Sequence, residues 1–311
     1  MYKYLCQQPH DRENGWSEEL QGVCHDDKYW YFTQNGYLWK FPVGWRLGNK
    51  ITGTDRSKNI VRYSGLRHHL GDIDCFNKHI FIPVTGDGHP YIAVVSTDSF
   101  TCVAKQVLIH PNNGQFFSSL AWCAINPSDG RLYTSEKHIG PWLSETDCSP
   151  ILVYDVNYNN LRFDAGGFLE YRAALQPVTK KVTAGGTVYN PLSYSHIQGG
   201  CFDGQNHLHT TNGTSKAYAK DGKGGIFVFT VPKTIQKGKT YTILREAYST
   251  QRGTFRYQFD GTGDEPEGIT FWNLNNIAEA KEFKGVLHAI MLNNDLNPNP
   301  DDFFFKHYDR V

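Results

Sequence analysis

Methionine is scarce in this 311-residue chain, which has two, and neither sign of charge prevails, with 31 basic side chains against 31 acidic ones. Balanced charge leaves no basic stripe and no acidic tail, so nucleic acid is not expected as a partner. No apolar run approaches the roughly 20 residues that cross a bilayer. The opening stretch, Met1 to Pro9, lacks the apolar segment of a secretory signal. No membrane span is therefore expected, and either the protein is not exported by that route or its signal has been removed. Also missing are a CxxC pair, a GxSxG elbow and an HExxH helix, which removes zinc ribbons, serine-hydrolase elbows and zincins from consideration. Gly222-Lys-Gly-Gly225 lacks the strand–loop–helix setting of a phosphate cradle and reads as a turn.

What is abundant points to β-structure. Aromatic residues make up 14% of the chain, beside 30 Gly and 14 Pro, a composition for short strands and tight turns. Seven cysteines follow no disulfide spacing. Four of them, Cys24, Cys75, Cys123 and Cys201, recur at one place in four repeats and read as small buried residues near an axis. Unpaired buried thiols favour a reducing, cytoplasmic compartment, although Asn212-Gly213-Thr214 is a glycosylation sequon.

The repeat decides the fold. Leu20–His25 is answered by Tyr29–Phe32, Leu70–Cys75 by Ile80–Ile82, and Leu120–Ile125 by Leu132–Thr134. Ile197–Phe202 is answered by Leu208–Thr210, and Pro266–Phe271 by Val286–Ile290. A third strand follows each pair: Tyr37–Phe41, Tyr91–Val95, Ile151–Tyr154, Ile226–Thr230 and Phe303–His307. Weaker fourth strands are expected at Thr101–Leu108, Asn160–Phe163 and Thr240–Ala247, with a further candidate near Arg46–Ile51. Such units describe an all-β, five-bladed β-propeller of four-stranded antiparallel blades, a single domain over residues 1–311. A pair of β-sandwiches is the structural alternative. The fifth unit runs out of chain, so Tyr2–Gln7 is expected to supply its fourth strand and close the ring.

Loop lengths select a face. Connections between first and second strands are short, except Asn273–Gly285, where Ile277–Phe283 has a helical pattern. The long segments, Ser135–Pro150, Asp164–Ser195, Asn212–Gly225, Ser249–Glu265 and Asn293–Asp302, fall almost wholly on the face where the inner strands begin. Long loops on a rigid scaffold are where binding and catalysis concentrate.

The five entrances converge on one axis and carry Arg67, His68, His69, Tyr194, His196 and Glu265, with Gln21, Asp72, Trp122, Gln198 and Glu267 just inside. His69 and His196 with Tyr194 and Arg67 suit proton transfer beside a carboxylate, as in β-elimination from a uronic-acid glycan. His68, Gln21, Gln198, Trp122 and Glu265 are the expected substrate contacts. Asp264, Glu265 and Glu267 alternatively pair for glycoside hydrolysis. Asp72 and Glu267 are carboxylates in a packed axis and need partners, which Ca2+ or Mg2+ would supply, giving a metal-dependent hydrolase as a further option. Asp295–Asp301 alternates oxygen side chains like half a calcium loop, but Pro300 replaces the required glycine. Trp16, Trp39, Trp45, Trp142 and Trp272 offer sugar-stacking platforms for a lectin-like, non-catalytic propeller. The five entrances differ chemically, which favours one central site over repeated binding sites. No organic cofactor is expected, the ligand is expected to be a glycan or small molecule, and the chain to be a monomer.

The phrases His69-Leu-Gly-Asp-Ile-Asp74, Ser119-Leu-Ala-Trp-Cys-Ala-Ile-Asn-Pro127 and His196-Ile-Gln-Gly-Gly200 resemble those of bacterial propeller proteins of unassigned function. Glu267-Gly-Ile269 and the blade plan resemble five-bladed calcium-dependent nucleotidases. That resemblance implies a metal on the axis. It covers only a few residues per blade, and the departures around the other strands do not carry nucleotide hydrolysis over.

Overall fold

The computed structural model describes residues 2–9, 15–17, 19–66, 68–86, 88–109, 116–135, 150–163, 171–175, 182–184, 187–189, 197–212, 225–231, 241–246, 254–255, 265–280, 283–293 and 302–311. For residues 150, 162–163, 171–175, 182–184, 187–189, 212, 225, 241–246, 254–255, 293 and 302 the backbone alone is described. Five blades form the ring. Blade one pairs Gly22–His25, Tyr29–Gln34, Tyr37–Pro42 and Val61–Tyr63 in order. Blade two pairs its inner segments His69–Leu70 and Asp74–Phe76 with His79–Thr85, then Tyr91–Ser96 and Cys102–Val107. Blade three runs Cys123–Ile125, Leu132–Thr134, Pro150–Tyr154 and Tyr171–Leu175, and blade four runs Ile197–Phe202, His207–Asn212, Gly225–Thr230 and Tyr241–Glu246. The outer strands of blades three and four also pair with each other in parallel, merging the two sheets. Among the described residues the one helical turn is 3-10, at Arg56–Lys58, and no helix is long and apolar enough to cross a membrane.

Burial follows position in the blade. Second strands are buried on both faces, as in Tyr29–Gln34 and His79–Thr85, because neighbouring blades cover each side. Outer strands have one face in solvent, so Cys102–Val107 alternates between half-buried and exposed. Apolar clusters fill the seams between blades: Trp16, Trp30 and Trp39 with Phe303 and Phe305 fill the junction of blades five and one, and one continuous cluster runs through blades two, three and four. Trp16, Trp39 and Trp272 are buried there and offer no sugar-stacking face. Trp45 is half-buried, and Trp142 lies outside the described residues.

Tight turns set the hairpin registers. Asn77 and Lys78 both have positive φ, the two-residue turn whose twist matches a hairpin. At the expected Asp129-Gly130 turn, Gly130 takes φ of 69°. Tyr2–Gln7 pairs antiparallel with Asp302–Arg310 and completes blade five, as the missing fourth strand required. The closed seam is locked to blade four: Tyr2 Oη lies 2.8 Å from His209 Nε2, and Arg310 pairs with Asp203, which also binds His207 Nδ1 at 3.0 Å.

Two outer strands differ from expectation. Blade one ends on Val61–Tyr63 rather than Arg46–Ile51, and Arg162–Phe163 folds back on Val156–Asn157 while Tyr171–Leu175 takes the outer place in blade three. Over the described part of the expected helical stretch, Ile277–Ala280, the chain forms turns and not an α-helix: its backbone bonds run three residues back, from Ile277 to Leu274 and from Ala280 to Ile277.

Candidate functional site

The axis is built from glycine and one carboxylate. Gly22, Gly71, Gly199, Gly200 and Gly268 bring the inner strands so close that a side chain would collide with backbone or core. A Cβ on Gly71 would lie 2.2 Å from Ala121 O, and one on Gly268 would lie 2.6 Å from the Gly22 Cα. Into this space Asp72 projects, fully buried. Its Oδ1 accepts the N–H groups of Val23 and Ile73, each at 3.0 Å, and its Oδ2 accepts those of Gly200 at 2.9 Å and Ile269 at 3.2 Å. Its own backbone reaches the remaining blade, donating to Ala121 O at 2.7 Å and accepting from Cys123 N at 3.1 Å. One residue thus touches the inner strands of all five blades. Burial pushes the Asp72 carboxyl well above the usual carboxylate range, while the four N–H donors pull it back down.

This geometry gives Asp72 another occupation than the ion ligand expected of it. A carboxylate offers about four lone-pair sites, and four backbone donors take them. No three His, Cys, Asp or Glu side chains converge as a metal site among the described residues. The four backbone donors therefore occupy both Asp72 oxygens.

A second repeated device ties blades together nearer the long-loop face. The Thr33 hydroxyl donates to Gly71 O at 2.7 Å, and Thr211 donates to Glu267 O at 2.6 Å, each reaching the next blade's inner strand. Thr85 exchanges bonds with the Leu120 main chain in the same manner. Thr134 instead donates to Trp122 O within its own blade, at 2.5 Å.

Of the expected site residues, the structure brings together three. Gln198 Nε2 donates to Glu265 Oε1 at 2.7 Å and lies 3.3 Å from Glu267 Oε1. The two carboxylate oxygens are therefore at most about 6 Å apart. Glu267 is 3% exposed, while Glu265 is half-buried. Gln198 and Glu267 start the inner strands of blades four and five, and the Asp72 bonds to Gly200 and Ile269 hold those strands two residues further on.

The others are placed differently. His69 is exposed and its Nδ1 lies 2.9 Å from Asn35 Oδ1, towards blade one. The His68 ring lies against Gly86, where a Cβ would come within 2.3 Å of it. Trp122 is fully buried, its Nε1 donating to Ser135 Oγ at 2.8 Å and its ring pressed on Gly200, so it serves packing and not substrate stacking. Gln21 is buried with its backbone bonded to Thr33 O. Arg67, Tyr194, His196 and Asp264 lie outside the described residues, as do Asp295–Asp301 and most of the long loops. The axial knot and the threonine clasps escaped sequence reasoning. A glycine in four of the five inner strands was the available signal, since glycine in a strand marks close backbone approach.

Two further groups near the axis have shifted acidities. Asp74 accepts from Ile125 N of blade three at 2.7 Å, and burial pushes its carboxyl up to about 7. Cys24, Cys123 and Cys201 are buried free thiols, pushed well above the usual thiol range by desolvation; Cys75 is half-buried.

The fold is that of a five-bladed β-propeller. No protein-family model and no curated protein matches the chain. Among solved structures, it is similar to a putative oxidoreductase (glucose dehydrogenase) from Thermus thermophilus, at 12% identity and TM-score 0.43, covering 98% of this chain and 99% of that one. It is also similar to the PQQ-bound aldose sugar dehydrogenase of Streptomyces coelicolor, at 11% identity and TM-score 0.39, covering 99% and 98%. For KlAtg21 in complex with a coiled-coil of AgAtg16 the figures are 11% and 0.40, with 88% of this chain covering 65% of that one. These likenesses concern the fold.

Proposed function

We propose that this propeller is a carbohydrate-active enzyme whose single site, on the face where the inner strands begin, cleaves a glycosidic bond with the carboxyl pair Glu265 and Glu267. The observation that supports this reading is one amide, Gln198, shared by two carboxylates at the axial entrance. Paired carboxyl groups are what glycoside cleavage needs, one to protonate the leaving oxygen and one to act on the opposite side of the sugar ring. Glu267, the more deeply buried of the two, takes the acid role. Glu265, nearer solvent, takes the second. A separation of at most about 6 Å falls at the short end for such pairs, where the second carboxylate attacks the sugar itself and configuration is retained.

Elimination from a uronic acid fits the described residues less well. It would bring a substrate carboxylate beside two glutamates, and His69 is turned to Asn35. A neutral glycan is the better match.

The test is a panel of neutral polysaccharides and aryl glycosides read by reducing-end release, with acidic polysaccharides read in parallel by absorbance of unsaturated uronide. Glu267→Gln and Glu265→Gln are each expected to lower kcat by about 10²-fold or more, with the fold retained. Hydrolysis surviving both substitutions would sink the carboxylate reading. Unsaturated uronide that vanishes in His69→Ala would restore elimination, and glycan binding without turnover would make the protein a lectin.

A further inference from the structure

Where the ring closes, two buried histidines face each other with too few protons. His288 Nδ1 and His307 Nδ1 are 2.7 Å apart. At its far side, His288 Nε2 lies 2.8 Å from Trp272 O, and His307 Nε2 lies 3.1 Å from Gln8 O. A carbonyl oxygen only accepts, so each of the two outer contacts needs a proton on Nε2. Two bare lone pairs do not sit at 2.7 Å, so the inner contact needs a third. Two neutral imidazoles carry two protons between them. All three bonds are made only when the pair holds one extra proton.

We propose that His288 and His307 form a one-proton latch on ring closure, in which uptake of a single shared proton completes the bond that holds the Gln8 carbonyl to the last strand. The contact left unmade in the neutral pair is the longest, His307 Nε2 to Gln8 O. It is also the one that ties down the chain as it leaves the closing strand. Gln8 N–H donates to Phe305 O at 2.8 Å beside it, and on the other face of the strand Lys306 Nζ donates to Gln7 Oε1 at 3.1 Å.

The surroundings fix the range in which the latch works. Trp30, Phe283 and Phe305 enclose the pair with their rings. Among the described residues, His25 from the inner strand of blade one is the other titratable group acting on it; its ring stacks on Trp272 at 4.3 Å. No described carboxylate offsets the extra charge. Burial accordingly holds His307 down to about 4 and His288 well below the usual histidine range. The grip on Gln8 is therefore tightest on the acid side of neutrality.

The test is nitrogen-15 histidine NMR on the full chain, with amide exchange at Gln8 corrected for intrinsic rate. Expected are joint uptake of one proton by the two rings below the usual histidine range, a proton held between the Nδ1 atoms, and Gln8 protection about five-fold greater in acid than at neutrality, the weight of one net hydrogen bond. His288→Gln, which takes no proton, is expected to make that protection independent of pH. Two rings titrating separately near ordinary histidine values, or Gln8 protection equal at both pH values in the unaltered chain, would overturn the proposal. Should His288→Gln not fold, the measurements on the unaltered chain decide alone.

Discussion

Replacing Asp72 by asparagine keeps the side chain's shape and exchanges one acceptor oxygen for a donor. Each oxygen accepts two backbone N–H groups, so whichever way the amide turns, its NH2 meets two donors and loses both bonds. Each buried N–H left without a partner costs roughly 1–3 kcal/mol, and two of them amount to about 2–6 kcal/mol. The neutral amide is cheaper to bury than a carboxylate, which offsets part of that loss. A net destabilisation of about 2–4 kcal/mol is expected for Asp72→Asn. In Asp72→Ala, four buried N–H groups lose their partner at roughly 1–3 kcal/mol each. That sum is comparable to the whole stability of an ordinary domain, about 5–15 kcal/mol, so Asp72→Ala is not expected to fold. Urea unfolding followed by tryptophan fluorescence measures the first, with Trp30 and Trp122 as buried reporters at the seams. An Asp72→Asn midpoint within experimental error of the unaltered protein, with Asp72→Ala soluble and cooperative, would refute the claim that this carboxylate ties the axis.

Gly268→Ala places a Cβ 2.5 Å from Asp72 Oδ1 and 2.6 Å from the Gly22 Cα, and is expected to cost about 3 kcal/mol or more by overpacking, read as a lowered Tm. Thr211→Val removes the donor to Glu267 O and should cost about 1 kcal/mol while weakening the Gln198–Glu267 register, read by thermal unfolding and by the KM of the glycosidase assay. Asp74 gives a pH signature. With its folded value at about 7 and an unfolded value near 3.9, the native state holds the proton longer, so its contribution falls as pH rises from about 4 to 7. That change amounts to a few kcal/mol, and Asp74→Asn should flatten the stability profile across the same window; an unchanged slope would refute the assignment.

The blades were legible because second strands are covered on both faces, so their apolar runs stand out at regular intervals. Ring closure followed from counting strands in the fifth unit. Outer strands were harder: Val61–Tyr63 has three residues and only partial burial, a weak signal beside a long connection. Arg162–Phe163 has strand composition but pairs locally, and composition does not name a partner. At the site, Glu265, Glu267 and Gln198 were found as residues because their strands share an axis, whereas their shared amide needed side-chain geometry. Asp72 was marked by its charge in a packed strand, but three of its four partners come from the inner strands of three other blades, which no local pattern announces.

The axial carboxylate also bears on how the chain is made. Its partners lie 49, 128 and 197 residues away in sequence, besides the adjacent Ile73. Blade one and blade two can meet early, but the last of these bonds waits until Ile269 has been synthesised. Contacts of such range are slow to form, because loop closure precedes any gain from them. Until then the growing chain holds a buried-type carboxylate and a row of glycine strands without partners, the state most exposed to mispairing between nascent chains.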